Sequence, residues 1–215
     1  MNKSTAYRAL STMRCRDYVQ QDPESGNYTL GPAALALATR HFEGDSLASG
    51  MHPALVALSR EVDELVHLGV MRGDRVVYLD KVEPSRTIRV WSDIGRTVPV
   101  ADTALGRAIL AFTAVERQQL DAYVPAGGPE RADRLWGMIG FARGHGYSFE
   151  VEENEPGIAC LGVPLLRGDQ PAGAMSVTTF ASTFTARRRT ELLRAVRDVV
   201  PPLLPVGIAL PALHV

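Results

Sequence analysis

Residues 146–179 read GYSFEVEENEPGIACLGVPLLRGDQPAGAMSVTT, and their pattern decides the fold class. Three mainly apolar segments, residues 146–150, 157–166 and 172–179, are separated by runs that contain glycine, proline or acidic residues. Short apolar segments bounded in this way predict strands, and a connection of only five residues, 167–171, is typical of antiparallel neighbours. The stretch therefore predicts part of an antiparallel sheet.

The sequence on either side of this stretch adds strands and helices. Helical spacing runs over residues 52–67, where Leu55, Leu58, Val62 and Leu65 fall on one face. The period then changes, and a hairpin is predicted over residues 67–80, with a further strand at 87–91. A helix is predicted at residues 102–111, and another follows it and ends at about residue 122. Two more are predicted, at residues 130–145 and from about residue 185 onward. About six short strands with helices around them predict an α+β domain on one antiparallel sheet.

Residues 2–30, NKSTAYRALSTMRCRDYVQQDPESGNYTL, predict a helix followed by a hairpin. Asn2 suits the N-cap of the helix, and Ala6, Leu10 and Met13 form one apolar stripe. The same order of elements forms the reading helix and wing of a winged helix. The candidate DNA contacts lie off the stripe and are types that bind phosphates and base edges: Lys3, Ser4, Thr5, Tyr7, Arg8 and Ser11. An ordinary helix and hairpin is the alternative.

Length and charge set broad limits. The 215 residues suffice for one sizeable core and an appendage. A net charge of −1 provides no overall basic field for nucleic acid, although residues 1–17 carry four basic side chains against Asp17 alone. Two cysteines do not make a disulfide framework, and the sequence shows no signal peptide and no apolar run of transmembrane length. These features predict a cytoplasmic protein without a membrane partner.

No motif indicates catalysis or metal binding. A cysteine or serine nucleophile needs a base within hydrogen-bond reach, and a structural metal needs spaced cysteine and histidine ligands. The histidines stand outside such motifs: His41, His52, His67, His145 and His214. The sequence therefore predicts neither an enzyme nor a cofactor or metal site.

Three blocks of the chain resemble the IclR family of bacterial transcriptional regulators. They are KSTAYRALSTMRCRDYVQQDPESGNYTLG at residue 3, PVADTALGRAILA at residue 99, and GYSFEVEENEPGIACLGVPLLRGDQPAGAMSV at residue 146. The resemblance implies a GAF-like antiparallel sheet flanked by helices, preceded by a partial winged helix-turn-helix and a linker helix. The implied segments are a partial winged helix-turn-helix at 1–30, a linker helix at 31–45, an effector-binding domain at 46–200 and a proline-rich tail at 201–215.

The resemblance also implies a pocket for a small, usually acidic effector over the sheet. A helix N-terminus would hold the effector's carboxylate through backbone N–H groups, and the strands would add polar side chains and an apolar wall. The implied positions are Val90, Val98, Thr103, Ala104, Leu105, Gly106, Glu150, Cys160, Ser176 and Thr178. In a family member that this chain resembles, aspartate stands at the position of Glu150.

Each of these residues also has a structural explanation. Asp102 or Thr103 could simply cap a helix, and Cys160 could be a small buried side chain in an apolar strand. Glu150 could be a solvated charge in an acidic run, and Ser176 and Thr178 could only occupy the sheet.

Two functions are consistent with the sequence. The first is a ligand-responsive transcriptional regulator that binds operator DNA as a homodimer or homotetramer and takes a small organic or aromatic acid as effector. The second is a truncated effector-sensing or interaction protein that no longer binds DNA. The second is considered because the two helices that pack behind a reading helix are not found before residue 2, and an isolated helix this short is marginal in water.

Overall fold

The computed structural model describes residues 2–36, 47–86, 92–124 and 128–214. The chain divides into two compact units, Met1–Ser49 and Gly50–Val215. The strand predicted at residues 87–91 and the predicted linker helix beyond residue 36 lie outside the described residues; residues 32–36 are helical. Within the described ranges, no helix has both the length and the apolar character needed to cross a membrane.

Helix α1 (Lys3–Arg14) forms where the sequence predicts a helix. The side-chain oxygen of Asn2 accepts a hydrogen bond from the Ser4 N–H at 3.3 Å, so Asn2 is the N-cap. None of the residues of α1 is buried, and Met13 of the apolar stripe is 48% exposed. The described part of the chain therefore leaves much of this stripe uncovered.

A hairpin follows α1. Strand β1 (Val19–Gln21) pairs antiparallel with β2 (Tyr28–Leu30). In the turn between them, the Asp22 carboxylate accepts hydrogen bonds from two backbone N–H groups, at 2.9 and 2.7 Å, and Gly26 adopts a φ of 73°. A left-handed residue in a turn favours glycine. The predicted helix and hairpin are thus confirmed, with the hairpin closed by local turn chemistry.

The described residues of the second unit form one six-stranded antiparallel sheet. The strand order is β5-β4-β3-β8-β7-β6, with every neighbouring pair antiparallel. The strands are β3 (Leu65–Arg72), β4 (Arg75–Val82), β5 (Thr97–Pro99), β6 (Ser148–Val151), β7 (Ile158–Arg167) and β8 (Gln170–Phe180).

Helices accompany this sheet. The α-helices are α2 (Leu47–Val62), α3 (Ala104–Phe112), α4 (Gly128–His145) and α5 (Ala186–Val199). Short 3-10 helices cover Arg117–Tyr123, Ala181–Thr183 and Pro201–Leu203.

The two faces of the sheet meet different helices. Leu105 and Ile109 of α3 belong to a buried apolar cluster with Val76 of β4 and Ala174 of β8. A β-bulge in β4, where Tyr78 pairs with Gly69 but Asp80 pairs with Leu68, reverses the alternation of side chains, so Asp80 points to the opposite face and lies 2.7 Å from the His52 Nδ1 of α2. We call the side of the sheet that packs against α3 the α3 face. The predicted site residues of β6, β7 and β8 lie on it.

Two local predictions were wrong. The helix predicted over residues 52–67 ends at Val62, because Asp63 takes a left-handed φ of 50° and the Ser59 hydroxyl binds the Glu64 carbonyl oxygen at 2.7 Å. Leu65, assigned to the helical stripe, instead begins β3. Residues 97–99, expected in a loop, form strand β5 and pair with residues 75–77 of β4. Long-range pairing overrides the local glycine and proline signals at this position.

The proline-rich residues after α5 pack onto the second unit. Ala209 and Leu166 exchange two backbone hydrogen bonds of 2.9 Å, and the His214 N–H donates to the His145 carbonyl oxygen at 2.9 Å. A Cβ on Gly146 would lie 2.1 Å from the Ala212 carbonyl oxygen, so this position requires glycine.

Candidate functional site

The N-terminus of α3 offers unpaired backbone donors above the sheet. Thr103 is the cap: its hydroxyl accepts a hydrogen bond from the Gly106 N–H at 3.1 Å and donates to the Pro99 carbonyl oxygen at 2.9 Å. The first N–H groups of a helix have no acceptor inside the helix. Those of Ala104 and Leu105 have no hydrogen-bond acceptor among the described residues. Two donors at the positive end of the helix dipole are therefore free.

Glycine allows α3 to approach its neighbours closely. A Cβ on Gly162 of β7 would lie 2.5 Å from the Ala104 carbonyl oxygen, and one on Gly106 would lie 2.1 Å from the Val100 carbonyl oxygen. Both obstacles are backbone atoms, which cannot rotate away. The N-terminal turn of α3 therefore rests directly on β7.

Gly162→Ala is expected to destabilise the second unit by about 2 kcal/mol or more, because the added methyl group forces α3 away from the sheet. Urea unfolding followed by circular dichroism measures the change. Gly140→Ala is the matched control and should not destabilise the protein. A Cβ there meets no atom within 4 Å, and alanine favours a helix by about 0.8–1 kcal/mol over glycine. Equal stability of Gly162→Ala and the unaltered protein would contradict this account of the contact.

The predicted polar residues of the sheet form two neighbouring rows on the α3 face. One row runs through Glu150, Cys160 and Thr178, which are successive partners on β6, β7 and β8. The row beside it contains Ser148, Gly162, Ser176 and His67. Because the rows are two residues apart along each strand, they lie about 6.7 Å from each other. The α3 N-terminus sits over the second row, where the Ser148 hydroxyl donates to the Ala104 carbonyl oxygen at 2.5 Å.

The first row is linked by side chains. The Cys160 Sγ lies 3.4 Å from the Thr178 hydroxyl oxygen, and Glu150 is the neighbour of Cys160 on β6. Glu150 and Thr178 are buried, as is Ser176 in the neighbouring row. Buried polar side chains are costly unless they are satisfied. A cluster of buried polar side chains in an otherwise apolar core is typical of a ligand-binding site rather than of ordinary core packing.

His67, Tyr78, Lys81 and Ser92 extend this polar group, and the sequence reasoning missed them. The His67 Nδ1 lies 3.3 Å from the Thr178 hydroxyl, its Nε2 lies 2.7 Å from the Ser92 hydroxyl, and its ring stacks on Tyr78 with centroids 4.5 Å apart. The Lys81 Nζ donates to the Ser92 carbonyl oxygen. Two-residue alternation along β3 could have placed His67 on the same face as Gly69, but the sequence pattern placed His67 at the junction of a predicted helix and a predicted hairpin and gave it no role in the site.

Burial disfavours the charged forms of His67, Glu150 and Cys160. Burial, assisted by the charges of Lys81 and Arg96, lowers the pKa of His67 to about 3. Burial raises the pKa of Glu150, against the opposing effect of the hydrogen bond from the Glu153 N–H. Burial and the Glu150 carboxylate also raise the pKa of the Cys160 thiol well above its usual value. Cys160 is therefore a thiol rather than a nucleophilic thiolate, and His67 is neutral at pH 7.

Arg107 ties the loop after β6 to α3. Its guanidinium is 2% exposed, donates to the Ala101 carbonyl oxygen at 2.8 Å, and binds both Glu153 carboxylate oxygens at 2.8 and 2.5 Å. The Glu153 N–H in turn donates to the Glu150 Oε2 at 3.0 Å. This chain of contacts places the Glu150 carboxyl group relative to the helix N-terminus.

The other predicted site residues lie nearby or in the core. Val98 and Leu105 are buried in the apolar cluster beneath α3, and Ala104 is buried at its first turn. Asp102, the alternative cap, instead pairs with Arg131. Val90 lies outside the described residues. Among the described residues, no three His, Cys, Asp or Glu side chains are grouped so that they could hold a metal ion.

The candidate DNA contacts all lie on α1. The side chains of Lys3, Ser4, Thr5, Tyr7 and Arg8 are exposed, and Ser11 is half-buried. Arg14, one turn beyond, donates to the Gln21 side chain of β1 at 2.9 Å and so connects the helix to the hairpin. In the described part of the first unit, the polar face of α1 is therefore exposed and available to a binding partner.

Comparison with known proteins identifies the family. The family described as bacterial transcriptional regulator IclR C-terminal matches residues 42–202. The chain belongs to the IclR family. Its membership confirms the resemblance seen in the three sequence blocks, and it makes the chain a transcriptional regulator and not an enzyme.

Relatives of this IclR-family chain carry regulator names. It is 32% identical over 196 residues to the HTH-type transcriptional regulator XynR of Escherichia coli (strain K12), covering 85% of this chain and 75% of XynR. It is 33% identical over 171 residues to the HTH-type transcriptional regulator KdgR of the same organism, covering 77% of this chain and 65% of KdgR. The matched part thus spans between about two thirds and three quarters of these relatives.

Solved structures of IclR regulators share the fold. One from Silicibacter sp. TM1040 superposes with a TM-score of 0.80 at 25% identity, covering 94% of this chain and 83% of the other. The IclR of Thermotoga maritima gives a TM-score of 0.70 at 26% identity, covering 94% and 85%. The predicted α+β fold with a GAF-like antiparallel sheet is confirmed.

Proposed function

We propose that this IclR-family protein is a ligand-responsive regulator that binds a small organic or aromatic acid on the α3 face of the sheet and operator DNA through α1 and the β1–β2 hairpin. The observation that carries the effector part is the meeting of the α3 N-terminus with the two polar rows of β6, β7 and β8. A carboxylate and a second polar group of one small ligand could be bound there together.

The donors and their charge favour an acid as the ligand. The free N–H groups of Ala104 and Leu105 suit a carboxylate, as helix N-termini do in general. The neighbouring side chains are a neutral His67, a Cys160 thiol and a Glu150 carboxyl whose pKa is raised. The neutral His67 and the Cys160 thiol would bind a keto or hydroxyl oxygen, with Val98 and Leu105 contributing apolar surface.

The DNA part rests on the exposed cations of α1. Lys3 and Arg8 are exposed beside short hydroxyl side chains, and the turn at Asp22 shapes a hairpin that would act as the wing. Such a helix would position itself on phosphates and read base edges. We extend the proposal to a homodimer or homotetramer in the cytoplasm, the usual symmetric arrangement for operator half-sites.

The effector would act by favouring one of two arrangements of the protein. A ligand can shift such an equilibrium only by binding one state more tightly than the other. The contacts from Arg107 to Glu153 and from Glu153 to Glu150 offer one element whose position depends on what Glu150 binds.

A second candidate function is favoured by one observation. No residue of α1 is buried, and Tyr7 is 61% exposed. A reading helix usually depends on packing partners for stability. The alternative is an effector-sensing or interaction protein that does not bind DNA.

Mobility-shift binding of the 215-residue protein to its own upstream DNA, at two salt concentrations, distinguishes the two functions. A specific shift that weakens with salt supports the regulator, because neutralised phosphates release counterions on binding. No shift from a folded protein that still binds an acid supports the alternative. A thermal-shift screen with pyruvate, 2-oxobutyrate, benzoate and phenylacetate identifies the acid.

Arg8→Ala is expected to weaken operator binding about tenfold and to lower the slope of log affinity against log salt by about one, because one phosphate contact is lost. Fluorescence anisotropy over a salt series measures both. Arg194→Ala, an exposed cation of α5, is the matched control and should leave operator binding unchanged. If Arg8→Ala binds the operator like the unaltered protein, α1 is not the reading helix.

A further inference from the structure

A cavity lies between α4 and the β6 edge of the sheet. Its apolar end, about 310 Å³, is formed by Met138 and Phe141 of α4 with Phe149 of β6. An adjoining end of about 260 Å³ is lined by Arg131 and other charged residues. The two ends share Arg107, Arg134, Met138 and Glu153, and we call them together the α4 cleft. Glu150, Cys160 and Thr178 do not line it.

The charged end has an unmatched positive charge. Arg107 binds Glu153, and Arg131 pairs with Asp102. Arg134 lines both ends of the α4 cleft, is exposed, and has no ion-pair partner among the described residues. Residues 125–127, which lie outside the described ranges, contain no Asp or Glu. An anion in the α4 cleft would therefore meet a cation that no carboxylate already neutralises, beside a buried arginine.

The apolar end has a rigid aromatic wall. The rings of Phe141 and Phe149 meet edge to face, with centroids 5.7 Å apart and planes at 87°. The Arg189 guanidinium lies 4.6 Å from the Phe149 centroid and holds that ring from another side. Edge-to-face contacts of this kind orient aromatic rings. A flat apolar group could pack against this wall and beside the Met138 side chain.

We infer that the α4 cleft binds a small amphipathic carboxylate, with its carboxylate at Arg134 and its apolar, preferably aromatic, body against Phe141 and Phe149. The volume of the apolar end is that of a small-molecule pocket, and such pockets combine apolar walls with a few placed polar groups. This site differs from the proposed effector site: its carboxylate would bind Arg134 rather than the α3 N-terminus, and Glu150, Cys160 and Thr178 do not line it, although Ser148, Arg107 and Glu153 border both sites.

The test uses the 215-residue protein with ¹³C-labelled methionine methyl groups, titrated with 3-phenylpropanoate. The Met138 methyl signal, assigned with Met138→Leu, is expected to move and saturate, because an aromatic ring placed beside it changes its magnetic environment. The buried Met51 and Met175, on α2 and β8, are expected to stay in place. Arg134→Ala should weaken binding at least tenfold, and the uncharged 3-phenylpropanamide should bind at least tenfold more weakly.

Controls keep the result decisive. Arg194→Ala removes an exposed cation outside the α4 cleft and should leave the affinity unchanged. Because Arg134 is exposed, its replacement should not unfold the protein, and unchanged Met51 and Met175 signals check this. A Met138 signal that does not move, or one that responds equally in Arg134→Ala, overturns the inference. So does binding that persists in Arg134→Ala but is lost in Glu150→Ala, since the ligand would then occupy the other site.

Discussion

Glu150→Ala is expected to lower the affinity for the acid effector at least tenfold while the protein remains folded. Glu150 stands at the end of the row that continues through Cys160 and Thr178, and burial raises its pKa. The buried Glu150 carboxyl group can form a hydrogen bond with a polar group of the ligand. Leaving the buried partner of such a hydrogen bond unsatisfied costs about 1–3 kcal/mol, and about 2 kcal/mol is more than tenfold in affinity. Calorimetry with the acid selected by thermal shift measures the change.

Two further variants separate the role of Glu150 from general effects. Glu150→Gln keeps a hydrogen-bonding side chain of similar length and should bind within about threefold of the unaltered protein. Glu152→Gln removes a neighbouring acidic charge but keeps the oxygen that accepts from the Gly157 N–H, and should not change the affinity. If Glu150→Ala binds the acid as tightly as the unaltered protein, the proposed site is wrong.

His67→Gln is expected to abolish much of the loss of stability between pH 6.5 and pH 4. The pKa of His67 is lowered to about 3 by burial, whereas an unfolded histidine titrates near 6.5. Between these values the unfolded chain binds a proton that the folded protein does not, so stability falls as the pH falls. The slope is about 1.4 kcal/mol per pH unit for one such group. Urea unfolding at several pH values measures it.

Glu150 acts in the opposite direction, which makes the comparison of variants necessary. Its pKa is raised in the folded state, so its contribution to stability increases as the pH falls. Tyr78→Phe is the control for the His67 variant: it keeps the stacked ring, and the pKa of Tyr78, raised by burial, lies far above this range. A slope in His67→Gln equal to that in Tyr78→Phe would show that His67 is not the group responsible.

Much of the fold followed from local patterns. Asn2 caps α1 as predicted, and Thr103 is the one of the two predicted candidates, Asp102 and Thr103, that caps α3. The strands β7 and β8 lie within a residue or two of the predicted bounds, since a short turn fixes their pairing. The errors at residues 63–67 and 97–99 arose where a left-handed residue or a distant partner strand decided the conformation.

The candidate site was likewise predictable only in part from the sequence. Glu150, Cys160, Ser176 and Thr178 were named from the family resemblance, and their lying on one face follows from the two-residue period of strands. His67 was missed because its contact with Thr178 spans 111 residues of sequence. The same applies to Arg107 and Glu153, which are 46 residues apart and form the contact that places Glu150.

The sequence by itself determined the class of fold, the caps and turns, and the family, because each depends on residues close together in the chain or on motifs of fixed spacing. Only the tertiary structure decided which polar side chains meet over the sheet and how α3 approaches them. Those contacts depend on strand register and on the close packing of Gly162 against α3, and both are set by the whole core rather than by any local segment.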